Sequence, residues 1–538
     1  MKYLFVFILF SCSSLAATYH VGNDQEIPDP NRVPWEILEA GDSVLIHYRE
    51  EPYRSKWVIC RQGTHKRPIV IKGVPGQGGA RPMISGVDAE TREELNFWNE
   101  SRGIIKIGGA NNPSDLQPRY IVIDGLDISG GRPPYKFTGR DGETEYVNNC
   151  AAIYIEKGDH IRIRNCTLHD CGNGIFAGNL ASDLVVEYCR IFDNGIPGRY
   201  LEHNNYTEVY GILFQFNDFG PLKEGSDGNN LKDRSAGCII RQNQIEGGNR
   251  QLDLVESKKP EFVNSDIYRK TYVFKNTLIE HDGEGNRQII HYGGDGGDES
   301  NYRRGELLLF NNTIVSDRKG RNTLVRLSGE GEYCRAWNNI IYVSADPAQL
   351  AVLNGPGTID LENNFIRPGW KSFHSDDGGR VNDLGNIEEN DPRFVDFGEF
   401  DLRLKGNSPC INTGLEISEY FPTSLAAKFE YIDKAFFPTQ PVYDEWDLGA
   451  YEFRGTISVG RWAETEEVRA YPNPFSEYCR LDVPDGAICV VVDGFGRQLH
   501  RGTGDFEWRP GPEVPAGSYY VIISTMSHKY TAKIQYLK

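Results

Sequence analysis

Apolar and polar positions alternate along much of this chain in short runs, and the runs recur with a common ending. An apolar–x–apolar triplet followed by Asn or Gly occurs at Ile121–Gly125, Ile161–Asn165, Leu184–Tyr188 (Tyr taking the corner place), Ile212–Asn217 and Cys238–Asn243. It returns at Tyr272–Asn276, Leu307–Asn312, Cys334–Asn339 and Ile359–Asn364. A period of about 23 to 35 residues predicts a stack of coils built from short strands. Alternation turns one side chain in two towards a core. Asn at the corner suits a sharp bend, because it tolerates the left-handed conformation and its amide can bond to the next Asn in a stack. Asn243, Asn312, Asn339 and Asn364 are therefore expected to form part of a ladder. A β-sandwich predicts no repeated Asn corner, so the solenoid is the better reading.

Before the repeats, Ser43–His47, Trp57–Ile59 and Ile69–Ile71 read as strands, and Pro34–Leu38 as a helix-like cap over the open end of the solenoid. The first residues combine Lys2, an apolar run from Tyr3 to Phe10 and small residues to Ala17. That is the pattern of a secretory signal peptide, too short to span a bilayer, and no later apolar run is long enough to do so. Cys12 offers an alternative lipid-attachment point. After Phe453 the composition changes through residues 454–469, and short strands follow between turns, as a small β-sandwich requires.

Composition narrows the partners. A formal charge of −18 over 538 residues argues against nucleic acid, which needs a strong basic field. An acidic polysaccharide remains open, since a local basic groove outweighs a global charge. The eleven Cys form no CxxC pair and no zinc pattern. Cys166 and Cys189 fall at equivalent repeat positions as buried thiols, while Cys479 and Cys489 are candidates for a disulfide.

The repeat grammar resembles the right-handed parallel β-helix of the pectate-lyase-like superfamily over about residues 18–453. The runs Asp391–Asp396, Asp401–Leu404 and Ser408–Ile411 look like terminal turns of exported β-helix proteins, and Asp447–Glu452 is similar to their closing strand. From Ala470, the sequence Tyr471–Pro472–Asn473–Pro474–Phe475 and the strands after it resemble the C-terminal sorting domain of type IX secretion in Bacteroidetes-like bacteria. The resemblances imply an all-β chain: a signal peptide (1–17), a β-helix (18–453), a linker (454–469) and a sorting β-sandwich (470–538). They imply a secreted or outer-membrane location and the type IX machinery as a partner. The β-helix fold serves lyases, hydrolases, epimerases and adhesins, so activity must be read from the site.

No nucleophile elbow, zincin helix, P-loop or EF-hand loop is present. Charged residues instead interrupt the repeat between Gly228 and Ser257. Lys232, Asp233 and Arg234 there join Arg250, Asp253 and Glu256. A lyase acting on a uronate needs a cation to neutralise the carboxylate and a base for the adjacent proton. Lys232 is the expected base, with Arg234 and Arg250 as charge partners. Aligning Gly248–Gln251 with Gly285–Gln288 puts Arg287 beside Arg250, and places His291 beside Arg326. His291 and Tyr292 are alternative acid–base groups, and His203 reaches the cluster from the preceding coil. Asp253, Asp295 and Asp298 are candidate calcium ligands. The expected function is β-elimination on a uronate-containing polysaccharide. The alternatives are a glycoside hydrolase using two of Asp233, Asp253, Glu256 and Asp295, or a non-catalytic surface binder or adhesin.

Overall fold

The computed structural model describes residues 16–375, 378–416, 446–453, 470–481, 488–492, 498–503, 506–511, 514, 517–524 and 529–537. The expected signal segment through Leu15, with Cys12, and the linker 454–469 lie outside the described residues. Two compact units are present, the first containing the repeats.

The first unit is a right-handed parallel β-helix whose coils have three faces. In the coil after Gly228, Leu231–Asp233 lies on the first face, Ala236–Arg241 on the second and Gln244–Glu246 on the third. Leu252–Leu254 then opens the next coil on the first face, paired in parallel with Leu231–Asp233 and with Gln288–Tyr292. The third face is a ten-stranded sheet of short strands. Ile121, Ile161, Leu184, Ile212 and Cys238 are successive partners on the second face, and all are buried. At about 25 cal/mol per Å² of apolar area removed from water, this continuous inner column is the main source of stability.

The corner chemistry follows the expected ladder with one correction. Asn243 Nδ2 donates to Asn276 Oδ1 at 2.9 Å, Asn276 to Asn312 at 3.0 Å, Asn312 to Asn339 at 3.0 Å and Asn339 to Asn364 at 2.8 Å. Asn217 and Asn386 extend it at either end. The left-handed residue, however, is the one before each ladder Asn: Gln242 (φ 54°), Lys275 (φ 53°), Asn311 (φ 51°), Asn338 (φ 56°) and Asn363 (φ 52°). The ladder Asn supplies hydrogen bonds, and its predecessor makes the bend. Cys166 and Cys189 occupy the same corner position earlier in the stack, and both are free, buried thiols. Because the ladder sets the register, Tyr272 pairs with Ile239 and Leu308 and faces outward. Its alignment with Cys238 and Leu307 is one residue out, and Val273 takes the core position.

Both ends differ from expectation. Pro34–Leu38 is not helical; Trp35 is buried and stacks on Trp57 at 5.1 Å, closing the core with a ring. Near the other end, Phe394–Asp396 and Asp401–Leu404 form an antiparallel hairpin. Asp447–Glu452 is not a strand but an irregular segment along the corner, where Gly449 N donates to Asn338 O at 2.8 Å and Ala450 N to Thr313 Oγ1 at 2.9 Å.

The second unit is a small β-sandwich. A four-stranded antiparallel sheet (Gln498–Thr503, Ile488–Val492, Gly517–Ser524, Lys529–Tyr536) and a three-stranded one (Ala470–Tyr471, Cys479–Leu481, Phe506–Trp508) share a core that includes Phe475, Trp508 and Val521. Cys479 and Cys489 are separately buried free thiols in that core, so the expected disulfide is not formed.

Candidate functional site

Five successive strands on the first face place Tyr206, Lys232, Asp253, His291 and Arg326 in one column. Leu231, Leu252, Leu254, Ile290, Val325 and Leu327 flank them as core residues, so alternation turns the polar members outward. A cleft of about 640 Å³ opens over the first part of this column, lined by His203, Tyr206, Asn229, Lys232, Arg234, Arg250, Asp253 and Asp295 among others.

Asp253 is the hub. Its Oδ2 accepts from Lys232 Nζ and from Asn229 Nδ2 (2.8 Å), and its Oδ1 lies 2.7 Å from His291 Nδ1. Burial works against its charge, but Lys232 and His291 outweigh that and hold the carboxyl far below the usual carboxylate range. Lys232 Nζ also meets Asp295 Oδ2 at 2.7 Å. An ammonium held between two carboxylates is a fixed cation with no lone pair to offer, so the expected role of Lys232 as free base does not fit its surroundings.

Asp295 reaches the cleft on a loop that leaves the strand Gln288–Tyr292 at Gly293 (φ 125°), a conformation that favours glycine. Arg234 Nη2 pairs with Asp295 Oδ1 at 2.8 Å, and Asp295 N donates to Glu256 Oε2 at 2.8 Å. Burial pushes the Asp295 carboxyl up, yet Lys232 and Arg234 win and hold it at about 2. Arg234 Nε donates to the Tyr206 hydroxyl at 3.1 Å.

His203 is buried in the cleft wall. Its Nδ1 accepts from Asn229 N–H at 2.9 Å, which fixes the proton of the neutral ring on Nε2. Burial, then repulsion from Lys232, pushes this imidazole down to about 3. His203 is thus a neutral N–H donor.

Arg250 lines the cleft, but not beside Arg287. The Gly-Asn-Arg-Gln repeat slips by one residue: Asn286 still bonds to Asn249, while Arg250 Nη2 donates to Gln288 Oε1 at 2.8 Å. Arg287 lies aside, near His374. The cationic neighbour of Arg250 is Arg326, and the Nε atoms of both are buried without a hydrogen-bond partner.

Three further expectations meet a different geometry. Tyr292 alternates inward with Leu254 and Leu327 and is fully buried. Asp233 is also buried, held by Thr207 Oγ1 (2.8 Å) and by Arg303 at 3.3 Å, so it serves neither hydrolysis nor binding in the cleft. The three candidate calcium ligands do not fit one ion. Asp253 and Asp295 are committed to cations, and Asp298 closes its own turn through Ser300 and Asn301. On the second face, Asp159, His160 and Asp183 do bring three ligand atoms within 4.8 Å of one another. Sequence reasoning missed Tyr206, Asn229, Arg303 and Ser328. The doublets Asn204–Asn205 and Asn229–Asn230 could have flagged the first two, since Asn204 Nδ2 bonds to Asn230 Oδ1 at 3.1 Å and aligns the strands that follow.

A family model described as "Right handed beta helix region" matches residues 93–267. No curated protein matches the chain in sequence. Among solved structures, the GH136 lacto-N-biosidase from Eubacterium ramulus is similar at 12% identity and a TM-score of 0.42, over 70% of this chain and 68% of that one. The DFA-IIIase from Arthrobacter chlorophenolicus A6 in complex with GF2 is similar at 14% identity and a TM-score of 0.36, over 65% and 89%. The complex of XylC with xylose gives 12% and 0.32, over 70% and 87%.

Proposed function

We propose that this protein is a polysaccharide lyase that cleaves a uronate-containing polymer by β-elimination in the first-face cleft. The observation that carries the reading is the pair of neighbouring cations Arg250 and Arg326, whose Nε atoms lack partners, with Arg250 lining the cleft together with Lys232 and Arg234. Arg250 is satisfied only in part, by Gln288 and a 3.8 Å pairing with Asp253, and a planar carboxylate matched to the guanidinium fork supplies further acceptors. The clamp withdraws charge from the uronate carboxylate and makes the neighbouring C–H more acidic. Proton transfer then falls to Tyr206, with His203 as a neutral donor beside it. As the phenolate, the Tyr206 oxygen, oriented by Arg234, takes the C–H proton while the C–H electron pair forms the double bond and the glycosidic C–O bond breaks. The same phenol then returns the proton to the leaving oxygen, and His203 Nε2–H is a hydrogen-bond donor to the substrate. A glycoside hydrolase is less well supported, since it needs a protonated carboxylic acid and Asp253 and Asp295 are both held ionised.

The test incubates the mature protein with acidic and neutral polysaccharides, following unsaturated-uronate absorbance and reducing ends in parallel. Both signals rising together on an acidic polymer support the lyase. Reducing ends without absorbance would establish a hydrolase, and binding with neither signal a surface adhesin. A chelator arm bears on calcium, which the Asp253 and Asp295 pairings do not require; activity is expected to persist.

For the chain's destination, we propose export by the N-terminal signal segment, with residues 470–538 read as an address by the type IX machinery. Deleting Ala470 to Lys538 should trap the protein in the periplasm; normal surface delivery of the truncated chain would overturn this.

A further inference from the structure

The outward column continues past the cleft into a group that β-elimination does not use. His291 Nε2 lies 2.7 Å from Ser328 Oγ, and His291 Nδ1 lies 2.7 Å from Asp253 Oδ1. Asp253 is ionised and accepts only, so Nδ1 carries a proton. Burial also pushes the imidazole down from its ordinary value, against the opposing pull of Asp253. A neutral ring protonated at Nδ1 leaves the Nε2 lone pair facing the Ser328 hydroxyl. A carboxylate, an imidazole of fixed tautomer and a hydroxyl then stand in line, the arrangement by which serine hydrolases activate a nucleophile.

We propose that Ser328, His291 and Asp253 form a second catalytic centre that hydrolyses esters carried by the same acidic polymer, a substrate assignment that rests on the proposed polysaccharide reading. Ser328 follows the strand Asn322–Leu327 and is half-buried, whereas His291 and Asp253 are buried beneath it. Arg326 precedes Ser328 by two residues and is the ladder partner of His291. Its half-buried guanidinium is the donor we assign to the oxyanion.

The reaction balances without a co-reactant other than water. Ser328 Oγ bonds to the ester carbonyl carbon while its proton passes to His291 Nε2, and the carbonyl electron pair moves onto oxygen. Collapse of this intermediate breaks the ester C–O bond, and the departing alcohol oxygen takes the proton from His291. Water repeats the sequence on the acyl-serine, releasing the acid and restoring Ser328. With an ester of the uronate carboxyl, the product is the charged group that the neighbouring arginines suit. With an acyl ester on a ring hydroxyl, the released acid is small and leaves.

A rival explanation is structural. Ser328 Oγ donates to Gly294 O at 2.8 Å, so its one proton is contested between that carbonyl and His291 Nε2, and the bond pins the loop carrying Asp295. Treating the full chain with a fluorophosphonate probe, followed by peptide mass spectrometry, separates the two independently of any polymer. An adduct on Ser328 that is absent in Ser328→Ala supports the second centre; no adduct on Ser328 in the unaltered protein overturns it. Where Ser328→Ala folds, hydrolysis of p-nitrophenyl acetate should fall by about 10³-fold, and unchanged hydrolysis would also overturn it. Methanol release from a methyl-esterified polymer and acetate release from an acetylated one identify the ester. Absorbance on the de-esterified polymer reports the lyase separately, so failure of one reading leaves the other standing.

Discussion

Two polar columns run side by side along this solenoid, and they solve the same stacking problem in opposite ways. The corner column repeats one side chain, and each Asn is both donor and acceptor to the next, so its hydrogen-bonding capacity is closed. The first-face column changes side chain at every coil, from Tyr206 through Lys232, Asp253 and His291 to Arg326. Opposite charges satisfy its middle, while His203 offers an N–H into the adjoining cleft and Arg250 and Arg326 retain unpartnered nitrogens. A uniform column can only hold coils together. A mixed one leaves functional groups over for a ligand.

The sharpest way to break the contrast is Lys232→Met. Turnover of the acidic polymer should fall on the order of 10²–10³-fold, and the buried Asp253 left without its cation should cost about 3 kcal/mol of stability. Steady-state kinetics and urea denaturation measure both, and a folded variant with full activity ends the catalytic reading of this column. Asn312→Ala, at the centre of the corner ladder, strands amide partners on two coils. Roughly 3 kcal/mol of stability should be lost with kcat/KM per folded molecule unchanged; a matching loss of activity would mean that the columns are coupled.

Acidity separates the columns without any mutation. The folded chain binds the His203 proton less readily than the unfolded chain does, so between about pH 6.5 and 3 the unfolded state takes up more protons. Stability therefore falls as pH falls, by about 2 kcal/mol at pH 5 from this group alone. Below that, protonation of Asp295 removes more stability as pH approaches 2. The amide ladder does not titrate. His203→Gln should flatten the slope of denaturation midpoint against pH, and an unaltered slope would count against the buried neutral imidazole. The smallest effect is expected at the ladder's end: Asn386→Ala, in a half-buried position, should cost under about 1 kcal/mol, measured by the same denaturation.

The contrast also explains what could be read from the sequence. The corner column repeats a residue type, so Asn243, Asn312, Asn339 and Asn364 announced the coils and the fold. The site column has no repeated letter, and its register must be borrowed from the strands around it. A one-residue slip between Asn286 and Gln288 was enough to separate Arg287 from Arg250. Tyr292 looked like a site residue because it adjoins His291, yet neighbours on a strand face opposite ways. Asp233 adjoins Lys232 and turned inward for the same reason. Its partner Arg303 lies 70 residues away on a returning loop, a distance that no local pattern encodes. The coil that carries Lys232 was legible, but its partners on loops were not.

The ladder is also a length gauge. Successive rungs from Asn217 to Asn386 are 26, 33, 36, 27, 25 and 22 residues apart along the chain, while the rise between coils stays at about 4.8 Å. The surplus in the two longest coils includes the excursions between Leu254 and Lys270 and between Tyr292 and Glu306, both at the turn from first to second face. These loops stack on each other, with the Tyr268 hydroxyl donating to Asn301 O at 2.8 Å, and the second brings Asp295 over Lys232. The corner rack thus uncouples the length of a coil from its pitch. At this one turn the chain can gain or lose a dozen residues and every strand keeps its neighbour, so the wall of the cleft can be rewritten while the column beneath it stays in register.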